Sequence, residues 1–194
     1  MPLNTLENPY EPHRKILLEL ARTSIEHGVE TGKPPAIEVS SYDPLLRVNR
    51  ATFVTLDRNG RLRGCIGYLE PVEPLVVNLS RNAVSSALHD RRFSPVKKGE
   101  INELTISISI LSIPKEVKVA SESELLKTLR PNIDGLILED GRRRTTFLPS
   151  VWNELPNPKD FVRHLKMKAG WSPDYWSHTI KVYFYHADYL TDLE

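Results

Sequence analysis

The chain has 194 residues, 40% of them hydrophobic and 26% charged, with a formal net charge of +1 at pH 7. This fits a soluble globular protein with an ordinary core and excludes a global field that would draw it onto nucleic acid or anionic lipid. A single cysteine excludes an internal disulfide, no apolar run approaches membrane-spanning length, and the opening MPLNTLENPYEPHRK has no signal-type apolar stretch, so a reducing, cytoplasmic setting is expected.

Residues 10–28 read as a helix: Ile16, Leu17, Leu20, Ala21 and Ile25 recur at helical spacing, Pro12 stands near the start and Gly28 just past the end. The stretch from Glu30 to Pro44 contains a Pro-Pro pair that rules out a helix there and leaves a surface loop or a flap. Residues 51–69 read as a β-hairpin. ATFVTL and RLRGCIGYL flank DRNG, whose Asn59-Gly60 pair tolerates the positive φ of a tight turn. A regular second strand puts Leu62, Gly64 and Ile66 on the core face and Arg61, Arg63, Cys65 and Gly67 on the other. A second helix spans 74–89, with Pro74 first and a stripe of Leu75, Leu79, Ala83 and Ala87, and ends in HDRRFSPV. LTISISIL at 104–111 is a strand with alternating apolar and hydroxyl residues.

In the second half, Ser121 and Glu124 form a capping box for a short helix ending near Arg130, before Pro131. GLILED and RRTTFLP read as a hairpin around Gly141. A helix over 157–170 takes Asn157 as cap, Pro158 as first residue and Gly170 as stop, with Phe161, Leu165 and Ala169 on its apolar stripe. TIKVYFYHA alternates Ile180, Val182 and Phe184 against Lys181, Tyr183 and Tyr185, as a strand does. Hairpins imply antiparallel pairing, so the order helix, hairpin, helix, strand, helix, hairpin, helix, strand predicts an α+β fold with helices packed on largely antiparallel sheet.

Six motifs then stand in order: LRGCIG at 62–67, DRRFSPV at 90–96, ISISIL at 106–111, GLIL at 135–138, FLPSVW at 147–152 and KAGW at 168–171. Together they make the chain resemble the AMMECR domain family, which includes the A component of the AmmeMemoRadiSam system. The resemblance covers nearly the whole chain. It implies a single domain over 1–194 made of a larger and a smaller α+β lobe packed around a shared cleft. It also implies an association with Memo-type and radical SAM proteins. The sequence departs from the family's pattern twice. Lys166 stands where many members have a second cysteine, and Ser107 where an acidic residue is common in the central strand.

Cys65 heads the candidate chemistry. Arg63 is expected on its strand face, where positive charge favours a thiolate, and Gly64 and Gly67 leave room for a ligand. The same residues also suit a cysteine packed as a small hydrophobe between glycines that permit close strand packing. Asp90 and Arg92 can fix a guanidinium that binds a carboxylate or phosphate, or form an internal salt bridge that anchors the helix end to the sheet. His89 invites a dyad with Cys65 if the imidazole reaches the sulfur. Lys168 is an anion ligand or part of a solvated helix face. The arginine turn at Gly141–Thr146 touches phosphate or is simply solvated. No metal-ligand spacing and no phosphate-cradling glycine loop is present, so no metal or cofactor is expected.

The expected site is a cleft lined by Arg63, Cys65, Asp90, Arg92 and Lys168. The leading expectation is a ligand- or partner-binding component working with Memo-type and radical SAM proteins, in which Arg63 and Arg92 hold an anionic group. The alternative is a thiol-dependent enzyme with Cys65 as nucleophile acting on a small molecule or a protein side chain. A nucleic-acid-associated factor using the arginine turn stands third. No membrane association is expected.

Overall fold

The computed structural model describes residues 8–192. The chain divides into two compact units. One contains the described residues up to Leu111 and those from Asp188 onward, and the other runs from Ser112 to Ala187.

In the first unit, a 3-10 turn at Glu11–His13 leads into α1 (Arg14–Thr31). Leu17, Leu20, Ala21 and Ile25 are buried as the periodicity requires, while Ile16 is 48% exposed and lies off the stripe. Gly28 is not the helix stop. It lies inside α1, where a side chain would collide with Val84, and the left-handed cap is Gly32 (φ 76°). A single-turn α2 (Pro44–Arg47), capped by the Asp43 side chain, begins at the end of the Glu30–Pro44 stretch. The antiparallel hairpin β1 (Ala51–Arg58) and β2 (Arg61–Gly67) turns at Asn59 (φ 53°) and Gly60 (φ 72°), as the dipeptide predicts. Then come α3 (Leu75–Leu88) and β3 (Leu104–Leu111), and β8 (Ala187–Thr191) completes the sheet in the order β2-β1-β3-β8.

The core of this unit joins α1 and α3 to the aliphatic side of the sheet through Leu17, Ile25, Val54, Leu56, Leu79, Ala83, Ile106 and Ile108. Helix α3 carries a second stripe, polar yet buried. The amide oxygen of Asn78 accepts from the N–H and hydroxyl of Thr52, and the Asn82 amide donates to the Thr52 carbonyl. The Ser86 hydroxyl accepts from Ile66 N–H and donates to the Val54 carbonyl. Every fourth residue thus locks the helix to β1 and β2 by backbone groups, which fixes the strand that carries Cys65.

The second unit contains β4 (Lys115–Val117), α4 (Glu122–Thr128), β5 (Gly135–Asp140), β6 (Arg143–Phe147), α5 (Pro158–Lys168) and β7 (Lys181–Tyr185), with sheet order β4-β7-β5-β6. The Ser121 and Asn157 side chains cap α4 and α5, and Gly170 (φ 72°) follows α5. Leu136, Leu138, Trp152, Phe161 and Leu165 form the core, with Trp152 stacked on Phe161 at 3.8 Å between ring centroids. One position differs from the alternation expected of the last strand: Tyr185 is buried. In α5, Lys166 is fully buried, its ammonium donating to Glu122 at 2.5 Å and to the Pro173 carbonyl at 2.9 Å. The strand expected from TIKVYFYHA is β7, and a further strand absent from the expected order, β8, follows it in the other sheet. Both sheets are antiparallel where hairpins build them, so the fold is α+β.

Candidate functional site

The region around Cys65 is built by the end of the first hairpin and by the turn after α3. Strand β2 contains a bulge. Leu56 pairs with Gly64 but Asp57 pairs with Leu62, which leaves Arg63 as the extra residue. The regular alternation expected for β2 therefore fails at this point, and Leu62 is 41% exposed instead of joining Gly64 and Ile66 on the core face. Arg63 is not poised for an anion beside the thiol. Its Nε and Nη2 donate to the Glu100 carboxylate at 3.1 Å each, and its Nη1 donates to the Ser94 carbonyl at 2.9 Å. These bonds, led by Arg63, hold the Glu100 carboxyl down at about 2.

Beyond the bulge, Cys65 faces Thr55 across the strand pair, and the Thr55 hydroxyl donates to Sγ at 3.3 Å. Thr55 pairs in turn with Ser107 of β3, whose hydroxyl donates to Thr191 of β8 at 3.0 Å. Cys65, Thr55, Ser107 and Thr191 thus form a transverse polar row across all four strands of the sheet. The thiol itself is half-buried.

The glycines beside Cys65 do not hold space open for a ligand, contrary to the expectation above. A Cβ at Gly64 would lie 2.2 Å from the Ser86 carbonyl oxygen, and one at Gly67 would lie 2.3 Å from the Phe53 ring and the Thr52 carbonyl. Gly64 is required because α3 approaches the strand backbone directly, and Gly67 because Phe53 lies over it.

Asp90 and Arg92 complete the frame. The Asp90 carboxylate, 8% exposed, accepts from Cys65 N–H at 2.8 Å, from Arg92 N–H at 3.1 Å, and from Arg92 Nε and Nη2 at 3.0 and 2.7 Å. Arg92 Nη2 also reaches the Cys65 carbonyl at 3.4 Å. One side-chain pair thus satisfies both backbone groups that the edge strand turns outward at Cys65. The Arg92 guanidinium holds the Asp90 carboxyl far below the usual carboxylate range, and Asp90 raises Arg92 in return. The Arg92 side chain is 57% exposed and its guanidinium carbon lies 5.5 Å from the Phe93 ring centroid, so a fixed cation stands at the surface next to the thiol strand.

His89 caps the end of α3 and is exposed, and among the described residues Thr55 is the one hydrogen-bond partner of the sulfur. Lys168 belongs to the second unit. Its ammonium donates to the Thr146 carbonyl at 2.9 Å and lies 5.2 Å from the Phe147 ring centroid, where partial desolvation lowers its pKa. In the arginine turn, Arg143 donates to the Gly170 carbonyl and Arg144 pairs with Glu139, while Arg142 is exposed. Among the described residues no group of three or more His, Cys, Asp or Glu side chains could hold a metal ion, and no helix is long and apolar enough to cross a membrane.

Of the residues expected to line the site, Cys65, Asp90 and Arg92 lie in contact, joined by Thr55 and, through Arg63, Glu100, neither of which the sequence pattern singled out. Counting back from Asn59-Gly60 without a bulge sets Thr55 opposite Gly64. The one-residue shift at Arg63 moves it opposite Cys65.

The AMMECR1 family model matches residues 18–190. A protein of Methanothermobacter thermautotrophicus is 37% identical over 89% of this chain and 91% of its own length. Protein MK0488 of Methanopyrus kandleri is 34% identical over 93% of this chain and 88% of its own. The crystal structure of an uncharacterized protein, PH0010 from Pyrococcus horikoshii, superimposes with a TM-score of 0.85 at 33% identity, covering 93% of this chain and 91% of that one.

Proposed function

Because the chain belongs to the AMMECR1 family, we propose that it is a ligand- or partner-binding component working with Memo-type and radical SAM proteins through the surface around Cys65. The observation that supports binding is the hydrogen-bond inventory of the sulfur. A nucleophilic thiol is activated by a base within reach or by uncompensated positive charge beside it. The neighbour of Sγ is the Thr55 hydroxyl, which takes no proton at neutral pH, and the nearby Arg63 and Arg92 are paired with Glu100 and Asp90. What the site does offer is rigidity. Cys65 is pinned through its backbone by Asp90 and Arg92, and Arg92 presents a pre-oriented guanidinium for a carboxylate or phosphoryl group. In this reading Arg92 holds the anionic group, Asp90 orients Arg92, and Cys65 with Thr55 gives the polar floor beside it. Arg63 acts at a distance by anchoring the bulge to Glu100.

The test is alkylation of Cys65 with iodoacetamide, followed by mass spectrometry, in the free chain and in mixtures with a Memo-type and a radical SAM protein. Binding through this surface slows the reaction at least several-fold with one of the two partners, and Arg92→Ala weakens that protection. An alkylation rate indifferent to both proteins overturns the reading. A thiol that reacts in the free chain with an apparent pKa well below that of a model thiol, about 8.5, would favour the thiol enzyme instead.

A further inference from the structure

We propose that Arg130 and His186 form a binding site for an oxyanionic group on the second unit, gated by protonation of the imidazole. The site starts from a buried charge. Asp134 is fully buried, and its carboxylate accepts from Arg130 N–H at 2.9 Å, from Arg130 Nε at 3.1 Å and from Arg130 Nη2 at 2.8 Å. Its carbonyl accepts from the Trp152 indole at 2.8 Å, which fixes the connector between α4 and β5 to the core. The guanidinium is therefore held along one edge, while the Arg130 side chain remains 56% exposed. This is a fork set in place before any ligand arrives.

His186 stands beside that fork with its side chain 48% exposed. Its Nε2 lies 3.4 Å from Arg130 Nη2, and its Nδ1 lies 3.3 Å from the Ile133 carbonyl and 3.6 Å from Asp134 Oδ1. The Ile133 carbonyl calls for a proton on Nδ1, so in the neutral ring Nε2 is the acceptor for Arg130. Protonation turns that hydrogen bond into two N–H donors facing each other. It also places two cations in contact over a single carboxylate. Among the described residues of this unit, the ring meets Arg130, Asp134 and the Ile133 carbonyl of the connector, while the Ser112 hydroxyl accepts the His186 backbone N–H at 2.9 Å. None of them supplies a second negative charge. An oxyanion that enters between Arg130 and the imidazolium gives both donors an acceptor and cancels the excess charge. The ligand group is thus a phosphoryl-type or carboxylate oxyanion, bound more tightly as pH falls through the titration of His186.

The test is a proton NMR titration of the imidazole C2 protons in the full chain, at constant ionic strength in chloride, sulfate or acetate. Sulfate keeps its charge across the range, and it stands for a phosphoryl group as acetate stands for a carboxylate. His186→Gln assigns the resonance. Binding raises the His186 midpoint by about half a pH unit in sulfate or in acetate, which is a roughly threefold preference for the protonated form. The exposed His89 and His164 remain where they are. Arg130→Lys, which keeps the charge and loses the fixed fork, reduces the shift by half or more. A His186 midpoint that neither salt moves, or that moves no more than those of His89 and His164, overturns the proposal.

Discussion

Each unit contains a buried aspartate that grips an exposed arginine by Nε and Nη2: Asp90 with Arg92 in the first, and Asp134 with Arg130 in the second. The salt bridges are alike, and the remaining lone pairs of the two carboxylates differ. Asp90 takes the N–H of Cys65, twenty-five residues away, so its pair joins a helix end to a strand edge. Asp134, which like Asp90 accepts the N–H of its own arginine, has the His186 imidazole beside it in place of a strand N–H, so its pair closes a local turn and sets an imidazole against the arginine. An Asp–Arg pair in a sequence therefore carries little meaning alone. Its third partner decides whether it braces a strand or prepares a surface.

The largest expected effect separates the two pairs directly. Asp134→Ala strands three donors beside a fully buried position and costs about 3–5 kcal/mol, read by urea unfolding. Asp90→Ala, at a slightly open site, costs about 2–3 kcal/mol and also speeds amide exchange at Cys65. Equal costs with no change at the Cys65 amide would erase the distinction.

Acid distinguishes the units next. The folded-state pKa values of Asp90 and Glu100 lie below their ordinary values, so their stabilisation is complete above the ordinary carboxylate range and is lost as pH falls through the lowered values. For Glu100 the window runs from 4.5 down to about 2. The first unit should lose about 2–3 kcal/mol across it, and Glu100→Gln should flatten that loss in an acid titration of stability.

The smallest pair of changes contrasts two hydroxyls. Ser86 serves both strands of the first hairpin, and Ser86→Ala is expected to cost about 1–2 kcal/mol. Thr145 in the second unit is buried with no partner for its hydroxyl, so Thr145→Val should stabilise by up to about 1 kcal/mol in thermal unfolding.

The fold was legible wherever one period dominated. LTISISIL is β3 over the expected residues, and Asn59-Gly60 is the turn it predicts. The stripe of Leu75, Leu79, Ala83 and Ala87 is buried as spaced. Legibility ended where a tertiary contact overrode local pattern. Nothing in RLRGCIG announces that Arg63 bulges out to reach Glu100, because the partner lies thirty-seven residues on. Gly28 looked like a stop because its neighbour Val84, which demands the missing side chain, belongs to another helix. The burial of Lys166 has no local signal, because Glu122 and Pro173, which make it tolerable, are distant in sequence or lie past the helix end. At the site, the residue types were readable from the chain, and their directions required the bulge.

The side chains laid along β2 and β6 have one more consequence. At Cys65, Asp90 and Arg92 occupy the positions that a neighbouring strand's carbonyl and amide would take, and at Thr146 the Lys168 ammonium takes the carbonyl such a strand would use. One edge of each sheet, β2 and β6, thus carries charged groups on backbone positions that a second copy would need for pairing backbone to backbone. The same residues that draw the eye as a binding site also keep concentrated protein from stacking edge to edge. Replacing Asp90 or Lys168 by an apolar residue therefore opens a template for fibre-like growth.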